Sequence, residues 1–397
     1  MIGLHNYERD KVDIIELDKT YVVNSYARSP LVVQSGKGEQ ICDNEGKQYI
    51  DLGSGIGVNA FGACDDKWVK AVEVQLHKLS HLSNLYYTQP QVELAQMLCE
   101  KTGMKKVFFG NSGAEANECA IKCARKYSHD KYGDNRSTII TLVNSFHGRT
   151  MATLSATGQD AMHVHFGPFL EGFKYAPAND FASLEAICDS TVCAVMLELV
   201  QGEGGVIALD KAYVEAVEKL CRERDILLVI DEVQTGNGRT GTLYTYMQYG
   251  IIPDIVTTAK GLAGGLPMGC TMLGEKVENT LSAGTHGSTF GGNPICAAGA
   301  ISILSRLDDD LMTDVLKKGD YIRSELENAK GVKSVTGLGL MIGIETERDA
   351  KEIARECLEK GVIVLTAKSK VRLLPPLNIK QEELAKAICI LKGVIAQ

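Results

Sequence analysis

From about residue 65 onward, short apolar runs rich in β-branched residues alternate with stretches whose apolar residues recur at helical spacing. Strands are predicted at residues 107–109, 138–143, 193–199, 226–230 and 254–258. The helices predicted around them span residues 68–79, 91–102, 114–127 and 211–224. Such alternation favours a largely parallel sheet with right-handed crossovers and flanking helices, so the expected fold class is α/β.

The two ends of the chain depart from this alternation. Near the start, a polar helix is followed by a hairpin, in which residues 40–43 and 48–51 flank a turn at 44–46. A chain of 397 residues is long enough for two or more domains. We expect a large domain over residues 61–290 and a smaller α+β domain formed by 291–397, with the N-terminal segment 1–60 contributing to it. In 291–397 the predicted helices span 294–307, 311–329, 349–360 and 380–395, and the predicted strands span 332–336, 340–345 and 371–373.

Composition excludes several classes of partner. The net charge of −8 argues against a nucleic-acid-binding protein, which needs a basic surface. No apolar run approaches the length of a membrane span. The twelve cysteines form no Cys-x-x-Cys pair, and Cys119 and Cys123 on one predicted helix have no further metal ligands nearby. Scattered cysteines without a signal peptide indicate a reduced, cytoplasmic protein, and we expect no metal, nucleic acid or membrane partner.

Two charged residues stand at predicted strand ends. Asp231 ends the apolar run 226–230, and Lys260 follows the run 254–258. Charged residues are mostly surface residues, but ligands bind at the carboxyl ends of strands in open parallel sheets. Pyridoxal phosphate needs a lysine amine to hold its aldehyde and a carboxylate to keep its ring nitrogen protonated. The glycine-rich stretch 261–269 would let the backbone approach such a flat ligand closely.

Residues 110–118 follow a predicted strand and open a helix with small residues. The free N–H groups and the dipole of such a helix start favour a phosphate. An ordinary helix start, capped by Asn111 or Ser112, is the alternative. In the stretch 286–294, Ser288 and Thr289 are candidate hydroxyl donors to a phosphate. The alternative is a glycine-rich loop that only caps the next helix.

Three further motifs lie in predicted loops. Phe146 is able to stack on a planar ring, and Arg149 is able to bind a carboxylate through two hydrogen bonds. The alternative is a loop in which Phe146 packs against the protein and Arg149 is solvated. Glu198 and Glu203 are suited to acid–base work or to pairing with an arginine. The glycines of the Gly-x-Gly-x-x-Gly stretch at 236–241 do not directly follow a strand and open no clear helix, so we reject a dinucleotide site.

Taken together, these motifs resemble the class III, fold-type I, pyridoxal-phosphate aminotransferases. The resemblance runs from about residue 20 to the end, and within the class the chain is most similar to the acetylornithine aminotransferases. The residues that carry the resemblance are 111–118, 146–150, 198–204, 231–234, 260 and 287–294, with 83–91, 339–343 and 372–377 for the subfamily.

The resemblance implies a fold-type I enzyme whose large domain binds pyridoxal 5'-phosphate. Lys260 would hold the cofactor covalently, and Asp231 would pair with the pyridine nitrogen. Gln234 would reach the ring hydroxyl, and Phe146 would stack on the ring.

The resemblance also implies a homodimer with each active site at the subunit interface. The cofactor phosphate would be held by Gly113 and Ala114, and by Thr289 of the neighbouring subunit.

Substrate-binding residues follow from the same resemblance. Arg149 would bind a substrate carboxylate, with Ser288 nearby. The acceptor 2-oxoglutarate carries two carboxylates and needs a second positive group, for which Arg372 is the candidate. We expect Glu203 to pair with Arg372 while the ω-amine reacts and to swing away when 2-oxoglutarate binds, because a desolvated charge needs a partner. A static surface ion pair is the alternative.

The implied activity is that of an ω-aminotransferase of arginine biosynthesis. It would convert N2-acetylornithine and 2-oxoglutarate to N-acetylglutamate 5-semialdehyde and glutamate, with Lys260 as general base and acid. The other substrates considered are ornithine, succinylornithine and succinyldiaminopimelate. An aminomutase of the same fold is a further possibility, whereas a catalytically inactive relative is disfavoured because Lys260 is present.

Overall fold

The structure is a computed structural model that describes residues 13–397, so the first part of the predicted N-terminal helix, in residues 1–12, lies outside the described residues. The described helices are α1 (Ile14–Tyr21), α2 (Ser54–Gly57), α3 (Asp66–Leu76), α4 (Gln89–Thr102), α5 (Gly113–Tyr132), α6 (Met151–Ala156), α7 (Phe181–Ile187), α8 (Lys211–Glu223), α9 (Tyr246–Tyr249), α10 (Pro294–Leu304), α11 (Asp309–Leu326), α12 (Ala350–Glu359) and α13 (Gln381–Ile395).

The described strands are β1 (Val33–Lys37), β2 (Gln40–Asp43), β3 (Gln48–Asp51), β4 (Lys106–Gly110), β5 (Thr138–Leu142), β6 (Phe173–Ala176), β7 (Val192–Leu197), β8 (Val200–Gln201), β9 (Ile207–Ala208), β10 (Leu227–Asp231), β11 (Ile255–Thr258), β12 (Gly269–Leu273), β13 (Val332–Leu338), β14 (Met341–Thr346), β15 (Val362–Ile363), β16 (Leu365–Ala367) and β17 (Lys370–Leu373).

A seven-stranded sheet in the order β4-β12-β11-β10-β7-β5-β6 forms the centre of the molecule. The strands run parallel except β12, which pairs antiparallel with both neighbours, β4 and β11. The expected α/β class with a mostly parallel sheet is therefore confirmed. Strand β12 was not predicted, because its sequence Gly-Cys-Thr-Met-Leu is neither a continuous apolar run, as in β7 and β10, nor an alternation of polar and apolar residues.

Apolar side chains cover both faces of this sheet. In β10, Leu227 and Val229 belong to one core cluster, whereas Leu228 and Ile230 belong to another. Since successive side chains of a strand point to opposite faces, one strand contributes to two hydrophobic layers. Within residues 13–397, no helix combines the length and apolar composition needed to cross a membrane.

The remaining strands form two four-stranded sheets and the antiparallel pair β8–β9. The first has the order β1-β2-β3-β15, in which β3 and β15 pair in parallel and so join the N-terminal segment to the C-terminal region. The second has the order β13-β14-β17-β16. Helix α10, which follows residue 290, packs against α3 and α4. The division into three segments at residues 60 and 290 stays a prediction.

The sheet topology determines which residues meet. Strands β4, β5, β7, β10 and β11 point in one direction, so their carboxyl ends lie along one edge of the sheet. Asp231 is the last residue of β10, and the start of α5, Phe146, Glu198 and Lys260 follow within a few residues of the ends of β4, β5, β7 and β11. The candidate residues are therefore brought together by topology, as expected for a ligand site in an open α/β sheet.

Candidate active site

A cavity of about 420 Å³ opens at this edge of the sheet. Its wall contains Val58, Asn111, Asn117, His147, Glu198 and the segment 265–268, among others. Seven of the predicted site residues line it, namely Gly113, Ala114, Phe146, Arg149, Asp231, Gln234 and Lys260.

Asp231 is held in a fixed orientation at the bottom of the site. Asn117 Nδ2 lies 2.7 Å and His147 Nδ1 lies 2.8 Å from Asp231 Oδ2, and the backbone N–H of Val233 donates to Oδ1 over 3.0 Å. Burial disfavours the charged form of His147, but the hydrogen bond and charge of Asp231 outweigh burial and raise the pKa of His147. The carboxylate is thus buried and supported by donors, as a partner for a cationic ring nitrogen requires.

Lys260 begins a short 3-10 turn immediately after β11 and Ala259. Its φ angle of 43° lies in the left-handed region, which is unfavourable for a residue with a Cβ. Burial lowers the pKa of the Lys260 amine. A lowered pKa favours the neutral amine, which is the form that attacks an aldehyde.

The start of α5 forms a cradle at one end of the cavity. Ser112 caps the helix by accepting from the Glu115 N–H over 3.2 Å. The cap leaves Gly113 and Ala114, which carry the first two N–H groups, at the cavity wall, so capping and phosphate binding are compatible here. A Cβ on Gly113 would lie 2.7 Å from a methyl group of Val233, so only glycine allows this approach. This cradle suits a phosphate.

Phe146 and Arg149 lie at another part of the wall. The backbone N–H of Phe146 donates to Glu198 Oε2 over 2.8 Å, which ties the loop after β5 to the loop after β7. Burial raises the pKa of Glu198. The guanidinium of Arg149 lies 5.6 Å from the centre of the half-buried Phe146 ring and is exposed at the mouth of the cavity.

Glu203 and Arg372 are in direct contact beside the cavity wall. Arg372 Nη1 donates to Glu203 Oε1 over 2.6 Å and to Gln234 Oε1 over 3.1 Å. Burial opposes ionisation of Glu203, but the charge and hydrogen bond of Arg372 outweigh burial and lower the pKa of Glu203. Within the described part of the chain, the buried Nε of Arg372 has no hydrogen-bond partner, so the guanidinium retains a donor for a further carboxylate.

Ser288 and Thr289 do not line this cavity. Ser288 Oγ accepts from Asn111 Nδ2 over 3.2 Å, and Asn111 lies on the wall. Thr289 is exposed on the same loop. Asn84 Nδ2 fixes that loop by donating to the carbonyls of Ser288 and Gly291 over 3.1 and 2.8 Å.

Sequence reasoning missed two residues that support Asp231. Asn117 lies four residues after Gly113, and therefore on the same face of α5 as the cradle, so helical periodicity would have indicated it. His147 directly follows Phe146, and nothing in the sequence alone links it to the distant Asp231.

The family model described as "Aminotransferase class-III" matches residues 21–395 of this chain. The chain belongs to the class III aminotransferases. The acetylornithine aminotransferase of Haemophilus ducreyi is 53% identical to it over 387 residues, covering 97% of this chain and 98% of that protein.

Solved structures agree with this membership. The N-acetylornithine aminotransferase of Stenotrophomonas maltophilia superposes with a TM-score of 0.84 at 35% identity, covering 96% of this chain and 98% of that one. An ornithine aminotransferase of Toxoplasma gondii, whose active site carries pyridoxal phosphate at partial occupancy, superposes with a TM-score of 0.91 at 31% identity, covering 96% and 93%. The expected fold-type I architecture is confirmed.

Pyridoxal phosphate is the cofactor of this class III enzyme. The residues present fit it, because the cavity combines a buried carboxylate at Asp231, a lysine amine with a lowered pKa at Lys260 and a helix start that accepts no side chain at Gly113. The chain is thus a pyridoxal-phosphate-dependent aminotransferase.

Proposed function

We propose that the enzyme transfers the terminal amino group of N2-acetylornithine to 2-oxoglutarate, yielding N-acetylglutamate 5-semialdehyde and glutamate in arginine biosynthesis. One observation carries the choice of donor, which is the near full-length similarity to relatives named acetylornithine aminotransferase. The cavity geometry supports the reaction type independently of those names.

Each proposed role follows from a contact on the cavity wall. When bound, pyridoxal phosphate supplies an electron-poor ring that accepts the charge left by removal of a proton from the substrate. Asp231 keeps the ring nitrogen protonated, and Lys260 holds the aldehyde and then moves the proton as base and acid. The N–H groups of Gly113 and Ala114 bind the phosphate.

Ring orientation is assigned to two further residues. Phe146 stacks on the ring, because its side chain lies on the cavity wall and its backbone is held by Glu198. Gln234 binds the ring hydroxyl, since its amide also lies on the wall while contacting Glu203 and Arg372.

The pair Glu203–Arg372 lets one pocket accept two different substrates. N2-acetylornithine has one carboxylate, for Arg149, and an apolar stem beside which a free Arg372 would be costly. While N2-acetylornithine is bound, Glu203 compensates the charge of Arg372, and the observed contact between the two side chains supports this role. A dicarboxylate displaces Glu203 and binds Arg372, whose Nε is available.

We further propose a cytoplasmic homodimer with shared sites, in which Ser288 lies near the substrate and Thr289 binds the phosphate of the neighbouring subunit. In the single chain Thr289 is exposed and the nearby apolar Phe290 is 59% exposed. An exposed aromatic side chain on this loop supports an interface with a second subunit here.

The experiment is a donor panel with the purified holoenzyme. N2-acetylornithine, ornithine, succinylornithine and succinyldiaminopimelate are each assayed with and without 2-oxoglutarate, and glutamate formation is measured. N2-acetylornithine is expected to be the best donor and to require 2-oxoglutarate. Turnover without any 2-oxo acid would indicate an aminomutase, and preference for another amine would overturn the substrate assignment.

A further inference from the structure

Arg239 is a buried guanidinium outside the cavity. It lies in the loop between β10 and α9, within the glycine stretch 236–241, and is 2% exposed. Its Nη1 donates to the carbonyl of Pro375 over 2.5 Å and to that of Leu340 over 3.3 Å. Within residues 13–397, no charged group acts on Arg239, and burial alone lowers its pKa to about 9.

The carbonyls of Leu340 and Pro375 lie at the same end of the strand pair β14–β17. In the antiparallel pair β14–β17, Gly343 lies opposite Arg372 and Ile342 lies opposite Leu373. Leu340 immediately precedes β14, and Pro375 stands two residues after β17. A single guanidinium therefore holds both strands at the end nearest Arg372.

The contact between this loop and the strand pair is reciprocal. The backbone N–H of Leu340 donates to the carbonyl of Arg239 over 3.0 Å. A Cβ on Gly339 would lie 2.6 Å from the carbonyl carbon of Thr240, and Gly339 has a φ of 52°. The backbone of the loop that contains Arg239 thus packs directly against the backbone of the turn before β14. This close packing limits movement of the loop relative to the strand pair.

The same loop also contacts the side chain of Arg372. Gln234, five residues before Arg239, accepts from Arg372 Nη1 over 3.1 Å. The loop therefore contacts β17 through Gln234, at the Arg372 side chain, and contacts the segment just after β17 through Arg239, at the carbonyl of Pro375. Burying a charge without a counterion is costly, so shape-filling alone gives no reason for a cation at position 239.

We infer that Arg239 is a positioning residue that fixes Arg372 relative to Gln234 and Glu203, and so sets the affinity of the pocket for a second carboxylate. This inference rests on the proposed function of Arg372. Loss of Arg239 would release the carbonyls of Leu340 and Pro375 and let β17 shift. A shift of about 1 Å in a positioning group costs up to about a hundredfold in rate.

The test compares Arg239→Lys and Arg239→Met with the wild-type holoenzyme. Arg239→Lys keeps the charge and one donor nitrogen, and Arg239→Met removes both. The control is Arg306→Lys, because Arg306 is also mostly buried but contacts Asp65, the Ser302 carbonyl and the Phe61 ring, none of which lines the cavity. Thermal unfolding identifies variants that are merely less stable.

Three quantities are measured for each variant. These are the single-turnover rate with glutamate, the single-turnover rate with N2-acetylornithine, and the inhibition constant of glutarate, a dicarboxylate that cannot react. In Arg239→Met, glutamate turnover and glutarate binding are expected to weaken about tenfold or more relative to N2-acetylornithine turnover. Arg239→Lys should lie between Arg239→Met and wild type, and Arg306→Lys should leave the ratio unchanged.

Equal loss in both half-reactions, unchanged glutarate binding, or the same pattern in Arg306→Lys would overturn the positioning role. Failure of the proposed function is distinguishable, since wild-type enzyme would then not react with N2-acetylornithine. In that case the glutamate single-turnover rate is compared with the rate for whichever monocarboxylate ω-amine the wild-type enzyme uses. A selective loss of glutamate turnover and glutarate binding in Arg239→Met is again the result that supports the role of Arg239.

Discussion

Arg372 Nη1 lies 2.6 Å from Glu203 Oε1, and the Arg372 side chain is only 3% exposed. A pair this buried differs from a surface ion pair, because removing one partner leaves an uncompensated charge and costs about 3–5 kcal/mol. Arg372 is therefore not part of a surface ion pair, whereas the Glu203 side chain is 28% exposed and borders solvent. Whether it swings away stays a prediction.

Half-reactions test the movement of Glu203. Glu203→Ala should slow the reaction with N2-acetylornithine and relatively favour glutamate as donor, because Arg372 is then free in both states. Arg372→Ala should weaken glutamate and 2-oxoglutarate far more than N2-acetylornithine. Glu325→Ala is the control, since Glu325 pairs with Lys392 at 39% exposure and should change neither rate. Equal effects of both site mutations on both half-reactions would rule out the switch.

The proposed covalent attachment of the cofactor at Lys260 predicts a spectroscopic result. Lys260→Ala should lose the visible absorbance of the covalently held cofactor and nearly all transamination, while retaining the wild-type far-ultraviolet circular dichroism. Small added amines should restore part of the proton transfer. A variant with wild-type turnover would exclude Lys260 from the chemistry.

Asp231 is expected to act by charge and not by packing. Asp231→Asn keeps the shape and an acceptor for Asn117 and His147 but removes the negative charge. Proton abstraction from the substrate should slow by about a hundredfold to a thousandfold, with cofactor still bound. Rapid-mixing absorbance measures this step, and a near-normal rate with bound cofactor would contradict the role.

The proposed homodimer with shared active sites predicts complementation between inactive chains. Lys260→Ala and the double variant Ser288→Ala, Thr289→Ala lose different functions, so mixed dimers should contain one intact site and regain part of the activity. Subunits are mixed after mild denaturation, and each variant refolded alone is the control. A fully active monomer in light scattering would refute the assignment of Thr289.

Much of the site follows from local sequence, and some of it does not. Asp231 and Lys260 were predicted because each ends a β-branched run, and parallel strands deliver such ends to one edge. The contacts of His147 and Arg239 join segments far apart in sequence, for which a single chain gives no signal. Likewise β12 was not predicted, because Gly-Cys-Thr-Met-Leu after a glycine-rich stretch contains neither a β-branched apolar run nor an alternation of polar and apolar residues.

The most direct test of the account is the ratio of kcat/KM for N2-acetylornithine to that for free ornithine, with 2-oxoglutarate as acceptor. The α-ammonium of ornithine would add a cation to a pocket that already holds Arg149 and Arg372, whereas the acetylated nitrogen is neutral. We predict a ratio of at least about ten, equivalent to ~1.4 kcal/mol in transition-state binding. A ratio of one or less would contradict the assignment of N2-acetylornithine as the donor.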